Sequence, residues 1–247
     1  MTAHRIGLVS DIHANEVALS AILAAIKEIG VDQVACLGDI ATLGPRPREV
    51  LEMLRERCDW FILGNHDEYM FEPDLINSHT RDAGVIDAVA WCRAELGSED
   101  IAFLKRSAHQ VNVPLGAAGS LLLFHGSPES NNVDLLAETP DAQLTEALGE
   151  YRSNVMAGGH THVQMLRQHR GTLIVNPGSV GLPFERYVAG GPPTVLPHAE
   201  FAIVEATGRN VTVSLRRVGL DRAALVAAVR GWDSPLAGYL LEQYQRP

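Results

Sequence analysis

Residues 6–13 read Ile-Gly-Leu-Val-Ser-Asp-Ile-His. A short apolar run ends abruptly in a polar turn that carries Asp11 and His13. A run of this length suits a strand buried on both faces better than a helix. The same event recurs along the chain. Residues 34–37 lead into Gly38-Asp39, and residues 60–63 lead into Gly64-Asn65-His66-Asp67. Residues 121–124 lead into His125-Gly126, and residues 155–157 lead into Gly158-Gly159-His160-Thr161-His162. A sixth run, residues 173–175, precedes Asn176-Pro177-Gly178-Ser179, which reads as a structural turn.

Helical patterns separate these runs. Residues 16–29 place Val17, Leu19, Ile22, Leu23, Ile26 and Ile29 at helical spacing. Residues 47–57 begin at Pro47, which is preorganised for a first turn. Residues 82–96 read as a helix closed by Gly97, with Ser98 as N-cap of a shorter one through Lys105. Thr139-Pro140 opens residues 141–148, and Gly149 stops them. Strand–helix alternation of this kind argues for a layered α/β fold. Farther on, residues 200–205 and 211–218 alternate around Thr207-Gly208-Arg209-Asn210, an antiparallel hairpin. Residues 221–244 form a helical tail interrupted near Gly231 and Pro235. The whole, residues 1–247, reads as one domain with a helical insertion over 68–108 and a tail over 221–247.

Five strand ends thus carry residue types that bind metals. In open α/β sheets, sites form beyond the carboxyl ends of the strands, so the five turns are expected to converge. The glycines in them permit sharp bends and close backbone approach. Imidazole and carboxylate without thiolate suit Zn, Fe, Mn, Co or Ni in a mixed N/O shell. The donors outnumber what one tetrahedral ion needs, and two ions about 3.5–4 Å apart would use them. In a straight strand His160 and His162 would point to opposite faces. They serve one centre if the chain curls, or each reaches a different ion.

The ordered set Asp11-x-His13, Gly38-Asp39, Gly64-Asn65-His66-Asp67, His125 and Gly159-His160-x-His162 closely resembles the calcineurin-like metallophosphoesterase family. The likeness spans roughly residues 6–215, and five motifs in order are far more specific than any one alone. The Asn176-Pro177-Gly178-Ser179 turn is similar to that of the compact bacterial and archaeal phosphodiesterase branch, which includes small dinucleotide-polyphosphate hydrolases. The resemblance implies a four-layer αββα sandwich of two mixed β-sheets flanked by helices. It implies that Asp11, His13 and His162 hold a first ion, that Asn65, His125 and His160 hold a second, and that Asp39 bridges them. The cofactors expected are two divalent transition-metal ions, with Mn favoured for activity.

On that reading a metal-activated hydroxide attacks a small phosphate ester. His66 follows a ligand without being one and is the candidate proton donor to the leaving oxygen. Asp67 is placed to accept a hydrogen bond from the His66 ring and keep it protonated, or to cap the helix that follows. Asn15 is placed to contact phosphate or to cap the first helix. Relatives carry Gly where this chain has Ala14. Ala favours ordinary backbone angles, so the first loop is expected to differ there. His4, His79, His109, His169 and His198 lie outside the motifs and read as structural. Arg46, Arg81 and Arg186 sit in loops, where they could bind a second phosphate, but they read first as solvated surface residues.

Composition narrows the partners. Thirty acids against 20 bases give a formal net charge of −10, which disfavours an extensive nucleic-acid surface. Bound cations would still draw a small phosphate into an acidic protein. Three cysteines without CxxC spacing argue against a disulfide framework and for a reducing compartment. The amino terminus has no apolar run long enough for a signal peptide, and no stretch approaches a membrane span, so a cytoplasmic protein without membrane contact is expected. The tail covers apolar surface of the sheet or forms a homo-oligomer contact. The reading of the site is a phosphodiesterase or phosphoanhydride hydrolase. The competing readings are a phosphomonoesterase or protein phosphatase, and a non-catalytic metal-binding scaffold like the retromer subunit of this fold. The intact ligand set and His66 argue against the scaffold.

Overall fold

The computed structural model describes residues 3–246. Its first half alternates strands and helices: β1 (His4–Val9), α1 (Glu16–Ile29), β2 (Gln33–Cys36), α2 (Pro47–Arg55) and β3 (Trp60–Phe61). A helical stretch follows: α3 (Asn65–Glu68), α4 (Ile76–His79), α5 (Ala83–Glu95) and α6 (Ser98–Leu104). Then come β4 (Val111–Pro114), β5 (Ser120–Leu123), α7 (Asp141–Leu148), β6 (Val155–Ala157), β7 (Met165–His169) and β8 (Thr172–Asn176). The chain closes with β9 (His198–Thr207), β10 (Asn210–Gly219), α8 (Arg222–Val229) and α9 (Leu236–Gln245).

Two mixed five-stranded sheets result, ordered β10-β9-β1-β2-β3 and β4-β5-β6-β8-β7. In each, three strands run parallel: β1 with β2 and β3, and β5 with β6 and β8. Parallel pairing brings equivalent strand ends to one side, which is why successive turns share a neighbourhood. Alternation along β1 shows how the layers form. Ile6 and Leu8 join Leu37, Ile62, Leu121, Leu123, Val155 and Val175 in a fully buried core between the sheets. Val9 faces the other way, into a second core with Leu19, Ile22 and Ile26 of α1 and Leu51 and Leu54 of α2. On the far side, Leu144 and Leu148 of α7 pack on Leu122, Met156 and Ile174. Truncating a buried Leu in such a core to Ala costs about 2–5 kcal/mol. The order helix, sheet, sheet, helix is the four-layer sandwich expected above.

The tail does not cover a sheet. Leu225, Val229, Trp232, Leu240 and Tyr244 pack on Ala88 of α5 and on Leu182 and Val195 of a long loop. Gly231 at φ +84° separates α8 from α9. At α6, Gly97 is the N-cap, and its N–H donates to Asp100 (3.0 Å), one residue earlier than the expected Ser98 cap. The three cysteines are free thiols. Among the described residues no helix is long and apolar enough to cross a membrane.

Candidate metal centre

Asp11, His13, Ala14, Asp39, His160 and His162 all have positive φ, between +46° and +71°. Non-glycine residues in this region carry strain of order 1–3 kcal/mol each and collect at functional sites. A lattice of backbone hydrogen bonds holds them. The N–H groups of Asp11, His13 and Ala14 donate to the carbonyls of Gly38, Asp39 and Ile40 at 2.8–3.0 Å. Val180 and Gly181 donate to the carbonyls of Ser10 and Asp11, and Ser179 Oγ donates to the Asp11 carbonyl (2.7 Å). Ala14 therefore adopts the left-handed conformation, φ +51°, contrary to the ordinary angles expected of it. Its N–H and its carbonyl, which accepts from Arg46, fix it there.

The five turns converge. Donor atoms of Asp11, His13, Asp39 and His162 lie within 4.8 Å of one another, and so do those of Asp39, His125 and His160. Asp39 belongs to both groups. The curl at His160 and His162 sends the two rings into different groups, the second of the alternatives posed by their spacing. Asn65 joins the second group. Its Nδ2 donates to Tyr69 Oη (3.1 Å), so its amide oxygen faces His125 Nε2 (3.2 Å) and His160 Nδ1 (3.0 Å).

The outer nitrogens fix the rings. His162 Nδ1 donates to the Leu182 carbonyl (2.7 Å) and His125 Nδ1 to the Leu37 carbonyl (2.6 Å), so each Nε2 faces inward. His13 Nδ1 meets Thr42 Oγ1 at 3.1 Å. Such partners are what orient metal-binding imidazoles. Asp11 Oδ1 is buried and has no hydrogen-bond partner. It lies 3.3 Å from His162 Nε2 and 4.0 Å from His125 Nε2. A buried carboxylate oxygen without a donor is costly unless a cation meets it. Burial pushes the Asp11 pKa up, but His162 and His125 outweigh it, and the carboxyl stays ionised below its ordinary range. Burial pushes His13 down to about 4, so its ring is neutral and free to bind at pH 7. Donor type, burial and orientation all fit divalent cations held by carboxylate, imidazole and one amide oxygen.

Two expected roles are corrected. Asp67 does not bond the His66 ring. Its Oδ2 accepts from the N–H groups of Asp39 (2.8 Å) and Gly64 (3.1 Å), and its Oδ1 accepts from Ile40 (2.8 Å). It sits in the first turn of α3 and clamps two site loops together. Asn15 caps α1: its Oδ1 accepts from the Ala18 N–H (3.0 Å) and its Nδ2 donates to the Gly181 carbonyl (3.0 Å). Its Nδ2 also reaches Tyr244 Oη (3.5 Å), so the oxygen and both amide hydrogens are engaged and no phosphate contact is left to them.

His66 stands beside the ligand groups. Its N–H donates to Asp39 Oδ1 (2.9 Å), and its ring meets His13 edge-on at 5.2 Å. Burial, only partly offset by Asp39, holds its imidazole well below the ordinary value, so it is neutral at pH 7 in the metal-free chain. His79, read from sequence as structural, also comes to the site. Its ring lies 5.7 Å from that of His66 and 6.3 Å from that of His160. Asp134 approaches His160 Nε2 at 3.4 Å and accepts from Tyr187 Oη. Neither sits in a motif; only their placement in three dimensions finds them. The groups open into a cavity of about 510 Å³ that His13, Asp39, Asn65, His66, His160 and His162 all line.

Two facing mixed sheets with a carboxylate–imidazole cluster at their strand ends define the metallophosphoesterase class of fold. Residues 5–196 match the calcineurin-like phosphoesterase superfamily domain, and the chain belongs to that superfamily. It is similar to the metallophosphoesterase from Sphaerobacter thermophilus, with 27% identity, 98% of each chain covered and a TM-score of 0.75. A hypothetical protein from Pyrococcus horikoshii OT3 shares the fold at 19% identity, with 96% of each chain covered and a TM-score of 0.77. An uncharacterised protein of Methanocaldococcus jannaschii is 26% identical over 199 residues, 74% of this chain and 79% of that protein.

Proposed function

We propose that the protein hydrolyses small, nucleotide-like phosphodiesters or phosphoanhydrides at a centre of two divalent ions, with Mn the favoured metal. The observation that carries this reading is the sharing of Asp39 between two buried donor groups at one cavity. Asp11, His13 and His162 would hold one ion, and Asn65, His125 and His160 the other, with Asp39 common to both. Bound divalent ions supply Lewis-acid neutralisation of phosphate charge and acidify a bound water.

The chain's own groups do the rest. Hydrogen bonds to Leu182, Leu37 and Thr42 hold three imidazoles at fixed orientation, so no reorganisation is needed as charge develops. The backbone bonds from Asp11, His13 and Ala14 to residues 38–40 keep both carboxylates in register. His66 is the group proposed to move a proton to the leaving oxygen. Neutral in the metal-free chain, it gains proton affinity when an anionic ester enters beside it.

The test is turnover of bis-p-nitrophenyl phosphate and p-nitrophenyl phosphate by metal-stripped protein after reconstitution with Mn. The reading predicts metal-dependent hydrolysis with the diester preferred. It also predicts that His66→Ala keeps its metal but loses about 10²–10⁴-fold in kcat on poor leaving groups. Absence of turnover with Mn, Fe, Co, Ni and Zn would contradict it.

A further inference from the structure

The cavity beside the ligand groups has two unlike halves. One is the imidazole and carboxylate floor. The other is an apolar wall from three separate parts of the chain: Leu182 and Phe184 after β8, Val188 and Val195 in the Gly/Pro-rich loop, and Leu236 and Tyr239 on α9. Phe184 lies flat on His162, with ring centroids 4.2 Å apart and planes 24° from parallel, so the wall begins at the ligand cluster itself. Tyr239 Oη donates to the Pro193 carbonyl and ties α9 to the loop. The tail therefore shapes the cavity rather than lying apart from it.

Charge is the second observation. Among the described residues that line the cavity there is no Lys or Arg, while Asp39, Asp82 and Asp134 do line it. Asp82 caps α5 by accepting from the Val85 N–H (3.1 Å), and Asp134 accepts from Tyr187. Beyond the floor, a substrate would meet acids, apolar side chains, His79 and Thr80, but no Lys or Arg to pair with a second phosphate. Recognition of polyanions needs paired cations that this cavity lacks.

We infer that the site takes a singly charged phosphodiester bearing one flat, largely apolar ring system, as in an aryl or nucleoside ester, and discriminates against more highly charged esters. This narrows the phosphoesterase reading above to its diester alternative, against the phosphoanhydrides, and rests on it. The ring lies along the wall, where Phe184, Tyr187 and Tyr239 offer aromatic surface, and the single charge stays at the floor.

Three substrates with one leaving group test it on the Mn-reconstituted protein: phenyl p-nitrophenyl phosphate, methyl p-nitrophenyl phosphate and p-nitrophenyl phosphate. Val188 is half-buried, lines the cavity and stands outside the ligand set, so it can be altered without touching the centre. Wild type should favour the phenyl over the methyl diester by at least about tenfold in kcat/KM. Val188→Ser should lower that preference. Val188→Lys should raise the monoester-to-phenyl-diester ratio by about tenfold, because it supplies the missing cation. Equal use of methyl and phenyl diesters would overturn the inference and leave the diesterase reading intact, whereas preference for the monoester would overturn both. No turnover of any of the three would overturn the esterase reading and this inference with it.

Discussion

His13 Nε2 lies 3.0 Å from His162 Nε2, and both rings are held in that position from behind. His162 is fixed by a carbonyl, which can only accept, whereas His13 is fixed by the Thr42 hydroxyl, which can donate or accept. In the metal-free chain one ring can therefore donate to the other. If His13 and His162 were to hold a cation, both nitrogens would have to offer lone pairs, and Thr42 would have to accept from His13 Nδ1. Thr42→Val keeps the shape and removes that acceptor. It should weaken metal affinity by about 10–100-fold without unfolding the protein. Competitive chelator titration measures this, and unchanged affinity would show that Thr42 does not set the His13 tautomer.

Metal loading should release protons. Burial pushes His125 down, but Asp39, 3.4 Å from its Nε2, and Asp11 outweigh it and raise the ring to about 9. His162 is raised too, by Asp11 against the effect of burial. In the metal-free chain the folded His125 keeps its proton up to about pH 9, while the unfolded one loses it near 6.5. Its contribution to stability is therefore full below about 6.5 and vanishes as pH rises toward 9. A cation at the same nitrogen displaces the proton. Calorimetric Mn titration at pH 7 in buffers of different ionisation heat should show roughly one to two protons released per chain. Proton uptake would contradict the assignment.

Asp67 is predicted to be a structural residue. Asp67→Ala leaves the N–H groups of Asp39, Ile40 and Gly64 without their acceptor and should cost about 3 kcal/mol or more in urea denaturation. Asp67→Asn, which retains one acceptor oxygen, should lose less. Variants as stable as wild type would show that the clamp carries no weight.

Gly64 allows a close approach to the shared carboxylate. A Cβ there would stand 2.1 Å from Asp39 Oδ1 and 2.3 Å from Asp39 N, so the shared carboxylate and its backbone must shift to admit it. Gly64→Ala should fold and yet bind metal at least about tenfold more weakly, by displacing Asp39. Dialysis followed by elemental analysis reads this out. Full occupancy would show that the carboxylate can shift freely.

The candidate site was legible because each candidate ligand follows a strand of a parallel set, and such strands print continuous apolar runs into the sequence. Two strands left no such mark. Residues 111–114, Val-Asn-Val-Pro, and residues 165–169, Met-Leu-Arg-Gln-His, form β4 and β7, the two edges of the second sheet. Edge strands expose alternate side chains and tolerate Pro114, so they read as loop. The ligands themselves could be named from their order, but the roles of Asn15 and Asp67 could not. Asn and Asp beside a site are also the residues that cap helices, and only the hydrogen bonds to Ala18, Gly181, Asp39, Ile40 and Gly64 decide between the two uses. His79 was unreadable for a different reason. It stands alone at the end of a four-residue helix, and only the folding of the insertion over β3 brings its ring to His66.

One carboxylate, Asp39, is proposed to serve two ions. Metal content of Mn-loaded wild type and Asp39→Asn, measured by elemental analysis after exhaustive dialysis, tests it most directly. The account predicts two ions per wild-type chain and a loss at both positions in the variant, with hydrolysis of bis-p-nitrophenyl phosphate falling in parallel. One ion per wild-type chain, or a variant that keeps both ions and full turnover, would contradict it.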